Sequence, residues 1–295
     1  MTSVHADPGR VSPGKAIGWS IAFFILTFLT AGLICLGAGI LITGSVIAAE
    51  AWLRGLTPES MLVQAVVSVF CAALFTWLIG LRRLGLTRMD LRYHGGRSAR
   101  AGVLLGLLAG ALTAGIAILI SVVGGQAGWV SDSGNFGSYL TQSLKTIAVL
   151  SPAALAEEII FRGVPLVLLA SAFGRGSAIV GTSVLFALVH AGNPNATQLG
   201  LGNIALAGIF LGVCFYAPGG IWTAFGAHLG WNSLLACLDT PVSGVPFEIP
   251  LLDYNAGAPA WLTGGTFGPE GGLAATLALT VAIVAAARWA AKSSR

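Results

Sequence analysis

The stretch IGWSIAFFILTFLTAGLICLGAGILI, residues 17–42, contains no charged side chain. A helix that crosses a bilayer needs about 20 mostly apolar residues, so this run is long enough to span. Its apolar character extends from Ala16 to Ala49, well past the roughly 7–15-residue core of a cleaved signal peptide. It reads as a retained first membrane helix. The polar residues 1–15 before it carry two prolines and two basic side chains and read as a cytoplasmic tail.

The same pattern recurs along the chain. Apolar segments follow at 61–81, 101–123, 146–172, 178–191, 202–217, 220–238 and 272–291, the fifth and sixth spans being short. The fold predicted is all-α: a polytopic membrane helical bundle of about eight transmembrane helices. Composition agrees, since 56% of residues are hydrophobic and 9% charged, against about 25% charged in soluble domains. One domain, 16–291, accounts for the chain, with a catalytic core at about 146–238 and a cytoplasmic tail at 292–295. Residues 82–100 are rich in arginine, 124–137 in Gly and Ser, and 239–271 hold five prolines, so that last connection is not helical throughout.

The net charge of +4 does not point to nucleic acid in such a chain; the basic residues are to be sorted by loop. Twelve of the fifteen Lys and Arg fall on one side of an eight-span topology: Arg10, Lys15, Arg82, Arg83, Arg88, Arg92, Arg97, Arg100, Arg175, Arg288, Lys292 and Arg295. Arg54 and Lys145 fall on the other, and Arg162 within a span. The excess of Lys and Arg in cytoplasmic loops predicts a multi-pass protein of the cell membrane with both termini cytoplasmic. Cys35, Cys71, Cys214 and Cys237 lie in apolar stretches without metal-binding spacing and read as small buried side chains. Trp222, Trp231 and Trp261 read as residues that sit at the membrane interfaces or line the cavity, the interface first.

Ionisable groups inside membrane helices cost at least ~2.5 kcal/mol each at the centre and are functional candidates by default. Three segments carry them. In Glu157-Glu158-Ile159-Ile160-Phe161-Arg162, Glu158 and Arg162 are four apart and share a helix face, where they can form a structural ion pair. Glu157 points about 100° away and stays free. Phe186 and His190 share a second face, and His228 and Asn232 a third. Each segment alone has a plain structural reading: an ion-pair network, a hydrogen-bonded core histidine, a polar pair that packs two helices. Together they supply carboxylates, two imidazoles and an amide, which is the equipment for activating water and stabilising an oxyanion.

The ordered set EExxxR, FxxxH and HxxxN resembles the CAAX-protease and bacteriocin-processing (Abi-type) family of intramembrane proteases, over about residues 154–235. That resemblance implies an eight-helix membrane fold with the polar residues meeting in a cavity in the bilayer, and cleavage of a peptide bond. On it, Glu157, Glu158, His190, His228 and Asn232 are the catalytic set, Arg162 the ion-pair partner and Phe186 a packing residue. The family is classed with metalloproteases, with the chemistry assigned either to a metal or to the glutamate itself. Glu157, His190 and His228 are the candidate ligands of a divalent metal such as zinc, through three protein donors and an open position; no HExxH is present.

In the expected mechanism Glu157, with His190, activates water, and His228 and Asn232 donate to the oxyanion. Expected partners are the lipid bilayer and a peptide or membrane-protein substrate. Prenylated protein, bacteriocin leader and surface protein all remain open as that substrate, as does the oligomeric state. Two alternatives are a non-catalytic scaffold or immunity protein keeping the protease framework, and a transporter. Along a continuous fourth helix, Glu157 lies roughly 27 Å from Arg175 at 1.5 Å per residue, at mid-membrane or beyond. CAAX processing acts on cytosolic substrates, so the side of access stays open. The 239–271 connection follows the third motif closely, a position from which it can cap a cavity.

Overall fold

The computed structural model describes residues 11–293. Parts of both predicted tails, 1–10 and 294–295, lie outside the described residues. The helices reach further into those tails than predicted: α1 (Pro13–Thr43) starts before residue 16, and the last helix runs through Ser293. A short α2 (Val46–Arg54) follows, then α3 (Pro58–Phe75), continued by a wider π-helical stretch over Thr76–Arg83, and α4 (Gly96–Gly125). After β1 (Gly128–Ser131) come α5 (Phe136–Arg162), α6 (Val164–Phe173), α7 (Arg175–Val189), α8 (Gln198–Tyr216) and α9 (Ile221–Cys237). The chain closes with β2 (Leu252–Asn255), the short α10 (Ala260–Thr263) and α11 (Leu273–Ser293).

Each of the eight predicted apolar segments falls mostly in helix. Among the described residues, five helical segments are long and apolar enough to cross a membrane: Pro13–Thr43, Pro58–Arg83, Gly96–Gly125, Gln198–Tyr216 and Leu273–Lys292. The exposed Ile21, Ile25, Leu29 and Leu33 on α1 and Leu104, Leu108 and Leu112 on α4 leave apolar flanks with no protein cover, as lipid-facing surfaces require. The protein is an all-α integral membrane bundle.

One predicted segment needs correction. The fourth, 146–172, is not a single helix. It breaks at Gly163 (φ −80°, ψ −126°), and Pro165 sits in the first turn of α6. Proline lacks the amide that would continue α5 and its ring collides with the preceding turn, so the break falls where the helix meets it. The 27 Å distance above assumed an unbroken helix and does not apply. Sequence reading also missed α2 and the antiparallel pairing of β1 with β2, which ties the 124–137 and 239–271 connections together.

The bundle's tightest contact joins α4 to α9. Gly102, Gly106 and Gly110 on α4 face Gly226 and Gly230 on α9, and a Cβ at Gly106 or Gly110 would overlap the Thr223 or Ala227 carbonyl. Lipid offers no hydrophobic drive for helix association, so close backbone approach through small residues takes its place. Gly110→Ala is expected to destabilise the detergent-solubilised protein by on the order of 3 kcal/mol, at the upper end of ordinary overpacking. Gly32→Ala on α1, where a Cβ meets nothing within 4 Å, should leave the melting temperature unchanged. Equal melting temperatures would show that this contact does not hold α9.

The two ends of the bundle differ. At one end the Arg92 guanidinium donates to the Phe215, Tyr216 and Ala217 carbonyls at the end of α8, and the Ile221 amide at the start of α9 donates to the Arg92 carbonyl. Arg175 lies over the Tyr216 ring and Arg83 over Trp19 near the start of α1. At the other end the 239–271 connection folds back over the helices. There the Asp239 carboxylate accepts from the Ile249 and Tyr254 amides, and burial pushes its pKa above the usual carboxylate range despite those two bonds.

Candidate active site

The three motifs converge. Glu157 from α5, Phe186 and His190 from α7 and its end, and His228 and Asn232 from α9 all line one cavity of about 360 Å³. Glu158 and Arg162 lie behind its wall, 0% and 1% exposed. The Arg162 guanidinium donates to Glu158 Oε1 at 3.0 Å and to the Gly208 carbonyl of α8 at 3.2 Å. The i, i+4 pairing read from sequence is present, and it also fastens α5 to α8. The Glu157 side chain, 32% exposed, remains in the cavity.

His228 occupies the space between the two carboxylates. Its Nδ1 lies 2.9 Å from Glu158 Oε1 and its Nε2 3.6 Å from Glu157 Oε2. A carboxylate only accepts, so Nδ1 carries the proton and Nε2 faces Glu157. His190 is held the same way. Its Nδ1 lies 2.7 Å from the Phe186 carbonyl, which also only accepts, leaving Nε2 as the free ring nitrogen. The spacing FxxxH thereby acquires a physical reason, since the carbonyl one turn back fixes the tautomer. Phe186 itself packs edge-on against Phe161 and His228 and lies under Arg162, whose Cζ is 4.6 Å from the ring centre. Such a cation–π contact, desolvated, contributes about 2 kcal/mol. The Asn232 side chain makes no hydrogen bond among the described residues, so its amide is free to meet a substrate.

One expectation shifts. His190 was paired with Glu157, yet the imidazole in contact with Glu157 is His228, and among the described residues His190 makes no ion pair. Among the described residues, no three His, Cys, Asp or Glu side chains are placed to hold a metal ion. His228 has Nδ1 committed to Glu158 and His190 has Nδ1 committed to its own helix, which leaves each Nε2 open; no step below is routed through a metal.

Glu270 was missed by sequence reading. It lines the cavity from the 239–271 connection, where its Oε1 accepts from Trp231 Nε1 at 2.9 Å and its Oε2 from the Ser243 amide and hydroxyl. Asn203 on α8 donates to the Glu270 and Gly272 carbonyls, both at 2.8 Å, and Asn193 to the Ser243 carbonyl at 3.0 Å. These bonds hold the connection over the cavity, as its position in sequence suggested. They also correct the interfacial reading of Trp231, which is buried against Glu270; Trp261, 60% exposed, fits that reading. Cys35, Cys71 and Cys214 are buried and Cys237 half-buried, all free thiols.

Residues 140–234, about a third of the chain, match the family model described as type II CAAX prenyl endopeptidase Rce1-like. The family that the motifs resemble is shown on that stretch. All three motifs fall inside it, and it runs from α5 through most of α9, the helices that build the cavity. No curated protein and no solved structure matches the chain. The similarity to the Rce1-like family model is to 140–234, the stretch that carries all three motifs.

Proposed function

We propose that this protein is an intramembrane endopeptidase that hydrolyses a peptide bond with water activated by Glu157. The observation that carries the reading is the Glu158–His228–Glu157 chain at the wall of a cavity inside a membrane bundle. Eight crossings, with both termini cytoplasmic in a cell membrane, are part of the proposal; the gathering of basic side chains at one end of the bundle supports it.

In this mechanism Glu157 accepts a proton from water, and the oxygen attacks the scissile carbonyl carbon. The developing oxyanion accepts from the Asn232 amide. When the intermediate collapses the carbon–nitrogen bond breaks, and the proton held by Glu157 passes to the leaving amine. His228, its tautomer set by Glu158, positions the Glu157 carboxylate rather than serving as the oxyanion donor expected from sequence. His190 presents a lone pair on Nε2 to the same space and is assigned to orient the water or the departing amine.

The test compares protein termini, by mass spectrometry, in membranes of cells making the wild type or Glu157→Ala. Termini present only with the wild type support a peptidase. Identical sets from both would leave the framework without catalysis, as a scaffold or immunity protein. Once a substrate is known, Asn232→Ala should lower kcat by about 100-fold with little change in KM, since an oxyanion donor acts in the transition state. A change in KM alone would make Asn232 a binding residue.

A further inference from the structure

We infer that the cavity opens on the face of the membrane away from the cytoplasm, and that its substrate is a polypeptide segment presented there, from an exported or membrane-anchored protein. The word substrate rests on the peptidase reading above; the sidedness rests on geometry and charge alone.

The cavity's lining shows which end is its mouth. Apart from residues in the long helices, it is lined by His190 and Asn193 just after α7, and by Val242, Ser243, Val245, Phe247 and Glu270 of the 239–271 connection. None of its lining comes from residues 82–100. At the rim Pro246 and Glu248 are exposed, while Val245 and Phe247 are half-buried. The opposite route is packed shut, since Leu166 and Phe215 are 0% exposed and Ile221 2%.

The basic residues lie at that closed end. Arg92 binds the end of α8 at Tyr216, whereas the mouth connection meets its start, where Phe267 packs against Gly200. Gly200 and Tyr216 lie 16 residues apart in α8, which separates these two points by about 24 Å at 1.5 Å per residue. The other basic residues join Arg92. Arg97 and Arg100 are in the first turns of α4, beside the α9 start through Gly102 and Gly219. Arg175 lies against Tyr216, and Arg83 against Trp19. Residues 287, 290 and 291 of α11, next to Arg288 and Lys292, border the same pocket as Arg92. At the mouth end the described cations are Arg54, paired with Glu50 at 3.7 Å, and Lys145 in α5. Short loops rich in Lys and Arg stay in the cytoplasm during insertion, so the closed end is the cytoplasmic one. A cytosolic C-terminal tail would meet the packed face of this bundle, whereas a chain on the outer face meets the opening.

Variants of the full chain that each add one cysteine test this in intact cells with a membrane-impermeant maleimide. The wild type, with three buried cysteines and one half-buried, is the blank. Glu248→Cys at the rim should label in intact cells, and Ser98→Cys at the basic end only after permeabilisation. The reverse pattern overturns the inference. The termini that depend on Glu157 form the second readout and should fall in segments outside the cytoplasm. If they fall in cytosolic proteins, this substrate class is wrong although the peptidase reading stands. If no termini change while Glu248→Cys labels from outside, the peptidase reading fails and the outward-facing cavity remains.

Discussion

Glu157→Ala is expected to lower kcat by about 1,000-fold, within the range for a lost general base, while the variant inserts, purifies and melts like the wild type. The two halves of that expectation come from the same geometry. The Glu157 side chain is about one-third exposed to the cavity and its one ion-pair contact is the 3.6 Å approach to His228. The bonds that hold the site together, Glu158 to Arg162 and Glu158 to His228, do not pass through it. Removing it leaves no buried charge unpaired. Glu157→Gln keeps the shape and removes the basicity, so it should be nearly as inactive. A Glu157→Gln variant with activity within a few-fold of wild type would move the base to His190, the other cavity group with a free nitrogen.

The site was legible because its parts are local. Each motif places two side chains four residues apart, a spacing that a helix converts into a shared face without help from the rest of the chain, and the apolar background makes its polar groups conspicuous. What the motifs do to one another was not local. Nothing in HxxxN says that His228 will lie between two glutamates some 70 residues earlier, and so that contact was not foreseen. Glu270 was invisible for the same reason. It sits in a proline-rich connection whose path is set by Asn203, Trp231 and Ser243, bonds that span 27 to 67 residues. The break at Gly163 and the α4–α9 contact were both written in the sequence, as Val164-Pro165 after a glycine and as glycines at 102, 106 and 110. A hydropathy count averages over such punctuation, which is why 146–172 read as one span.

Arg162→Ala should fail in the opposite way to Glu157→Ala, by loss of folded protein. Glu158 is fully buried and, among the described residues, Arg162 is the one Lys or Arg paired with it, beside the His228 imidazole. Truncating Arg162 strands a carboxylate and also removes the donor to the Gly208 carbonyl. Breaking a buried pair from one side costs about 3–5 kcal/mol, a large part of the roughly 5–15 kcal/mol that holds a typical fold together. The cation over the Phe186 ring is lost as well, which loosens the residue whose carbonyl holds His190. Lysine should rescue poorly, because a single ammonium cannot reproduce the guanidinium's separate bonds to Glu158 and Gly208. The double variant Glu158→Gln with Arg162→Met decides between charge and packing as the cause. With no charge left to strand and the volume roughly kept, its yield and melting temperature should recover towards wild type. Activity should stay low, because His228 has then lost the anion that fixes its position against Glu157. If the double variant is as unstable as Arg162→Ala, the arginine serves the fold through its packing, and the ion pair contributes little to either stability or catalysis.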